Sequence, residues 1–240
     1  MAFVNRCPLF FYRGFMAIIV ILLSACSYNG GAEQSVIRKF TWFSYIGADD
    51  FREKCKYSSS SQYRFVYNGV YNEQVRTYDI YQVEKDRYEI KINVTEEADV
   101  SSIKFNREDP DFFQPWGPKS SVTNVSAKHI NILERTLKNI GFFDSPPPSV
   151  NITSISFYWV ISACVDQKFK QNAYIWPEEK FKTAAFPKLL SIWDFTDIPI
   201  NLPRETSNFS VYGTTEVKDF RNHFNLKFGS DGLLGDNLIR

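Results

Sequence analysis

The chain has 240 residues, with 28 basic against 27 acidic side chains and a formal charge of +1. That balance, with both signs interspersed, gives no electrostatic footprint for nucleic acid and no polybasic patch for an anionic membrane. A hydrophobic content of 44%, of which aromatics alone make 17% of the chain, can bury a core and excludes disorder over most of the length.

The amino terminus comes first. Arg6 and Arg13 precede an uncharged apolar run, Phe15 to Leu23, which ends at the small residues Ser24 and Ala25. That is the order of parts in a secretory signal peptide. The run is too short for a spanning helix, which needs about 20 apolar residues. It closes on Leu23-Ser24-Ala25-Cys26, which resembles the lipobox of bacterial lipoproteins. The resemblance covers only the signal. It implies cleavage before Cys26, a diacylglycerol on the Cys26 thiol and a further acyl chain on the new amino terminus. A single acyl chain binds a membrane marginally, whereas two or more hold it stably. Ser27 stands where enterobacterial lipoproteins retained at the inner membrane carry Asp, so the resemblance implies the periplasmic leaflet of the outer membrane.

Residues 1–25 are thus expected to be a signal, and 26–35, with two glycines and no apolar periodicity, a flexible tether. Residues 36–228 form one expected α+β domain, and 229–240 a loose tail. Removing the signal takes two of the 28 basic residues and no acidic one, so 26 face 27 and the mature charge is −1. Of four cysteines, Cys7 leaves with the signal and Cys26 carries lipid. Cys55 and Cys164 remain, the one possible pair in an oxidising envelope, and are expected to form a disulfide. Two buried free thiols are the alternative.

Ile37–Ile46 is apolar and aromatic and reads as a first strand, leading into a turn or short helix at Asp49–Arg52. From Gln62 the pattern has period two. Tyr63, Phe65 and Tyr67 alternate with Arg64, Val66 and Asn68. The runs 74–83 and 88–94 continue it across the polar turn Glu84–Arg87, which predicts an antiparallel meander over 62–94. Asn106–Ser121, with three prolines, reads as a long loop. Over 127–140, Ile130, Leu133, Leu137 and Ile140 share one helical face, with Ser126 placed to cap the start and Gly141 to end it. Pro146-Pro147-Pro148 is a stiff break. The β-branched and aromatic stretch 152–176 predicts a hairpin turning at Asp166–Lys168, with Cys164 near the turn. Short helices follow over 178–184, after Pro177, and over 186–195. Residues 215–228 fit a helix by Val217, Phe220 and Phe224, or end in a strand by Phe224, Leu226 and Phe228. Strands, a helix, strands and then short helices point to an α+β fold with a mostly antiparallel sheet.

Catalytic patterns are sparse. His129 and His223 are the only two histidines, and neither sits in a metal-ligand spacing. No serine lies in a Gly-x-Ser-x-Gly elbow, and there is no phosphate-binding glycine loop, so no metal and no cofactor is expected. Asp109 and Asp111 flank Pro110 beside Phe112, Phe113 and Trp116. Paired acids near aromatics suit a glycan hydrolase, and equally a solvated loop whose acids satisfy turn amides. Among 13 tyrosines, Tyr63, Tyr67, Tyr78 and Tyr81 (with Tyr71 and Tyr88) line the meander. They form either a contact surface for a protein or glycan, or a tyrosine core whose hydroxyls reach the rim. The leading reading is a non-enzymatic envelope lipoprotein that binds a protein or glycan partner or supports envelope assembly. A cell-wall glycan hydrolase using Asp109 or Asp111 is the alternative.

Overall fold

A computed structural model of the chain describes residues 42–96, 119–144, 149–205, 224–229 and 232–235. Cys26, Asp109, Asp111, His223 and the triple proline lie outside the described residues, as do the signal and the tether.

The meander forms as its period predicts: β1 (Gln62–Gly69), β2 (Gln74–Glu84) and β3 (Arg87–Glu96) pair antiparallel in sequence order. β4 (Lys119–Ser126) adds to β3, while β6 (Phe157–Val165) and β7 (Lys168–Ile175) add on the far side of β1. The result is a six-stranded antiparallel sheet in the order β4-β3-β2-β1-β6-β7. A second sheet of three short strands, β5-β8-β9, is made by β5 (Val150–Thr153), β8 (Asn225–Gly229) and β9 (Gly232–Gly235). The class is α+β.

Helices cover both faces. Residues 42–47 (α1) and α2 (Asp49–Cys55) lie on one face, together with the small sheet. The other face carries α3 (Ala127–Asn139), flanked by α4 (Glu179–Thr183) and α5 (Phe186–Ile192). On the α3 face, Tyr63, Phe65, Tyr78, Ile90, Ile92, Trp159 and Ile161 meet Ile130, Leu133, Leu137, Phe186 and Leu190. On the α1 face, Val66, Val75, Tyr158 and Val160 meet Trp42, Tyr45, Ile46, Ile152, Leu226 and Phe228.

Local chemistry explains the ends. Gly141, at φ +74°, closes α3: its N–H donates to Lys138 O at 2.9 Å and Phe142 N–H to Leu137 O at 3.0 Å. That pair of bonds is the Schellman arrangement, in which glycine takes the left-handed position without a Cβ clash. The β6–β7 turn places Asp166 and Gln167 at φ +50° and +60°, the signs that a tight hairpin turn requires.

Four expectations change. The stretch read as a strand over 37–46 is helical from 42 to 47, because Trp42, Tyr45 and Ile46 fall at i, i+3 and i+4 and bury one stripe against the sheet. The loop expected to run to Ser121 gives way at Lys119 to β4, whose alternation is carried by small polar residues that sequence pattern reads as loop. The run from 152 is broken at Ser154–Ser156, where Ser156 Oγ donates to Thr153 O at 2.9 Å and Asn68 Nδ2 donates to Ser154 O and Ser156 O at 3.1 and 2.6 Å. Residues before the break join the small sheet and those after it the large one. In the segment expected to be loose, Gly232–Gly235 pairs with β8, and Asn225–Gly229 takes the strand alternative rather than the helical one.

Candidate functional site

Tyr63, Tyr67 and Tyr78 do not form a contact surface. All three are buried, as are Tyr71 and Tyr88, and only Tyr81 is half-exposed. Their rings pack on the α3 face because each hydroxyl finds an acceptor at the rim. Tyr63 donates to Glu134, Tyr67 to Asn201 O and Tyr78 to Asp194 Oδ2 at 2.9 Å. Burial raises the pKa of each hydroxyl well above its ordinary value, and Glu134 beside Tyr63 adds to it there. Tyr81, on the α1 face near Asp79 and Arg64, is likewise raised by burial.

Two charged clusters hold the sheet to its covers. On the α1 face, Arg64 is only 2% exposed and sits between two carboxylates. Its Nε donates to Asp79 Oδ1 at 2.7 Å, and its Nη1 and Nη2 donate to Asp50 Oδ1 and Oδ2 at 2.9 and 3.2 Å. Tyr45 donates its hydroxyl to Asp79 Oδ2 at 2.9 Å, and its ring lies 4.0 Å below the guanidinium carbon. Burial opposes the charge on Arg64, but Asp79, aided by Asp50, outweighs it and keeps the guanidinium charged. On the α3 face, Arg76 pairs with Asp194 and donates to Ile198 O at 2.6 Å and Pro199 O at 3.3 Å. Asp194 also accepts from Tyr78 and from the hydroxyl and amide of Thr196. Burial would raise the Asp194 carboxyl, but Thr196, Arg76 and Tyr78 together bring it below the usual carboxylate range. In both clusters the carboxylates are committed to a guanidinium and buried donors, an arrangement that fixes geometry rather than moving protons.

The irregular segment 194–204 forms a strap across the end of the large sheet. Gln74 clasps it from both sides of its amide: Nε2 donates to Pro199 O at 2.9 Å, and Oε1 accepts from Asn201 N at 3.0 Å. Asn201 Nδ2 donates to Gly69 O at 2.6 Å. Beside the strap an open cleft of about 530 Å³ is lined by Glu73, Gln74, Glu96, Pro199, Ile200, Asn201, Leu202 and Arg204. Arg204 pairs with Glu73 at 2.5 Å, and Leu202 stands 72% exposed at the rim. A cleft whose walls mix charged and amide side chains with Pro199, Ile200 and Leu202 can seat a small polar ligand or a peptide end.

Cys55, at the end of α2, is disulfide-bonded to Cys164 of β6, with Cα atoms 5.6 Å apart. The bond is buried with Phe51 and Ala48. His129 is exposed in the first turn of α3, where its Nδ1 accepts from the Ser126 N–H at 3.3 Å. Among the described residues, no three His, Cys, Asp or Glu side chains are grouped to hold a metal ion, and no helix is long and apolar enough to cross a membrane.

The alternation of the meander sets Arg64 in the first run and Asp79 and Arg76 on opposite faces of the run 74–83, but it brings none of them to its partner, and nothing in it points to Asp194 or the strap. A charged residue between aromatics on a strand that is buried on both faces is the signal that was there to read. No family model, no curated protein and no solved structure matches this chain.

Proposed function

We propose that this chain is a lipid-anchored protein of the bacterial envelope, non-enzymatic, which binds a protein or glycan partner or supports envelope assembly. The observation that carries the reading is the lipobox Leu23-Ser24-Ala25-Cys26 behind its apolar run. The buried Cys55–Cys164 disulfide supports it, since such bonds persist in oxidising compartments and are rare in the reducing cytosol. The commitment of Asp50, Asp79 and Asp194 to arginines supports a structural role for those acids. With the meander tyrosines inside the core, the cleft beside the strap becomes the candidate contact region for a partner.

The test is expression of the full chain in a bacterial envelope, followed by mass spectrometry of the mature amino terminus and membrane fractionation. The expected product begins at Cys26, carries acyl chains and pellets with membranes, and Cys26→Ser abolishes all three. A soluble product cleaved elsewhere would overturn the anchor. Turnover of a cell-wall substrate by the purified chain would overturn the non-enzymatic part.

A further inference from the structure

The two edges of the six-stranded sheet are built differently. β7 carries Lys168 and Lys170 towards its hairpin turn, and Lys170 Nζ donates to Phe143 O at 2.9 Å and Asp144 O at 3.1 Å. Charge on an edge strand and a covering segment are the ordinary protections against pairing with another chain. β4 at the opposite edge carries one charge, Lys119 at its first position, and no covering segment among the described residues. From Ser120 to Ser126 it contains no charge and no proline, its register against β3 runs without a bulge, and its outer edge has no strand partner among the described residues. Val122 stands out on it at 57% exposed, between Ser120 and Asn124 on the α1 side of the sheet.

We propose that β4 is a self-association edge, at which two copies of this chain join antiparallel into one continuous sheet. The sequence of β4 is self-complementary about Val122. A two-fold axis normal to the sheet there sets Val122 opposite its own copy, Ser120 opposite Asn124, Ser121 opposite Thr123 and Lys119 opposite Val125. Hydroxyl and amide side chains then meet across the strands, the exposed valines cover each other and no like charges face directly, which are the favourable cross-strand pairs. Each residue contacts its symmetry mate's counterpart, as an isologous dimer requires. The choice of a second copy over a foreign strand follows from that symmetry and from a second geometric point. The axis normal to the sheet keeps both α1 helices, which begin at Trp42, on the same face of the joined sheet. That orientation lets two lipid anchors share one membrane, and in this respect the inference rests on the anchored reading.

The test places a cysteine at the centre of the pairing in the full chain, expressed in an oxidising envelope. Opposed residues of an antiparallel pair have Cα atoms about 4.5–5.5 Å apart, within the range that a disulfide spans. Val122→Cys is expected to run at twice the monomer mass on a non-reducing gel and at the monomer mass after reduction. Val83→Cys, also exposed, near the end of β2 but away from the edge, stays monomeric. Val122→Lys sets two ammonium groups face to face and is expected to abolish crosslinking of the otherwise wild-type chain by a short bifunctional reagent, with its thermal midpoint unchanged. A Val122→Cys chain that remains monomeric overturns the proposal. So does a disulfide adduct to a different protein, which would assign the edge to a foreign strand. Membrane fractionation of the same samples reads the anchor separately. A soluble product refutes the anchor, and the gel still reports whether the copies pair.

Discussion

Arg64 and Asp79 face each other across β1 and β2, and the Arg64 Nε donates to Asp79 Oδ1 at 2.7 Å beneath the aromatic cover of α1. The pair reaches α2 through Asp50, so one guanidinium fastens two strands to a helix.

Removing that guanidinium leaves the buried Asp79 and the half-buried Asp50 carboxylates with no cation between them. Arg64→Met is expected to destabilise the fold by about 3–5 kcal/mol, the usual cost of breaking a buried pair from one side. Urea unfolding measures it. The matched triple change Arg64→Met, Asp79→Leu and Asp50→Leu is expected to recover most of the loss. A single-variant loss below about 1 kcal/mol, the range of exposed pairs, would show that the cluster is solvated.

The Cys55–Cys164 bond closes a span of 109 residues and so constrains a large part of the unfolded chain. Replacing both cysteines by alanine is expected to cost about 2–5 kcal/mol. Thermal unfolding of wild type with and without reductant should reproduce the difference. An unchanged midpoint on full reduction would place the stability elsewhere.

Alkaline behaviour follows from the buried tyrosines. In the unfolded chain a phenol titrates near 10. In the fold, burial and then Glu134 raise Tyr63, and burial raises Tyr67 and Tyr78. A folded value above the unfolded one contributes stability that is fully present below about pH 10 and is lost as the pH rises beyond it. Tyrosinate absorbance from these residues is expected to appear together with the loss of circular dichroism, in one cooperative step. Smooth titration near pH 10 with the fold intact would contradict their burial.

Gly141 sits at φ +74°, where a Cβ would also come within 3.1 Å of Asp144 Oδ2. Gly141→Ala is expected to cost about 1–2 kcal/mol through the left-handed backbone alone. Gly141→Asn should cost less, because asparagine tolerates that region. Equal losses for the two would indicate that the Asp144 contact dominates.

The meander, the helix over 127–140 and the hairpin turn were legible because each repeats a period along the chain, two for strands and 3.6 for the helix. What escaped depends on contacts between distant segments. The acceptors of Tyr63, Tyr67 and Tyr78 lie 71, 134 and 116 residues away, so no local pattern could tell a tyrosine core from a tyrosine surface. Arg64 and Asp79 could not be paired from the sequence, which does not report that α1 and α2 return to cover them. The strap has no period at all, and it is ordered by side chains of β1 and β2 that bond its main chain.

The Cys55–Cys164 bond also gives the chain a ring. Residues 56–163, with β1 to β6 and α3, lie within a covalent circle, while α1 and the C-terminal segments are attached to it as two arms. A protease that cuts once anywhere in the circle opens it without parting it. The amino-terminal arm and everything beyond the cut stay on one molecule, and parting the two after such a cut needs a reductant or a cut in the arm itself.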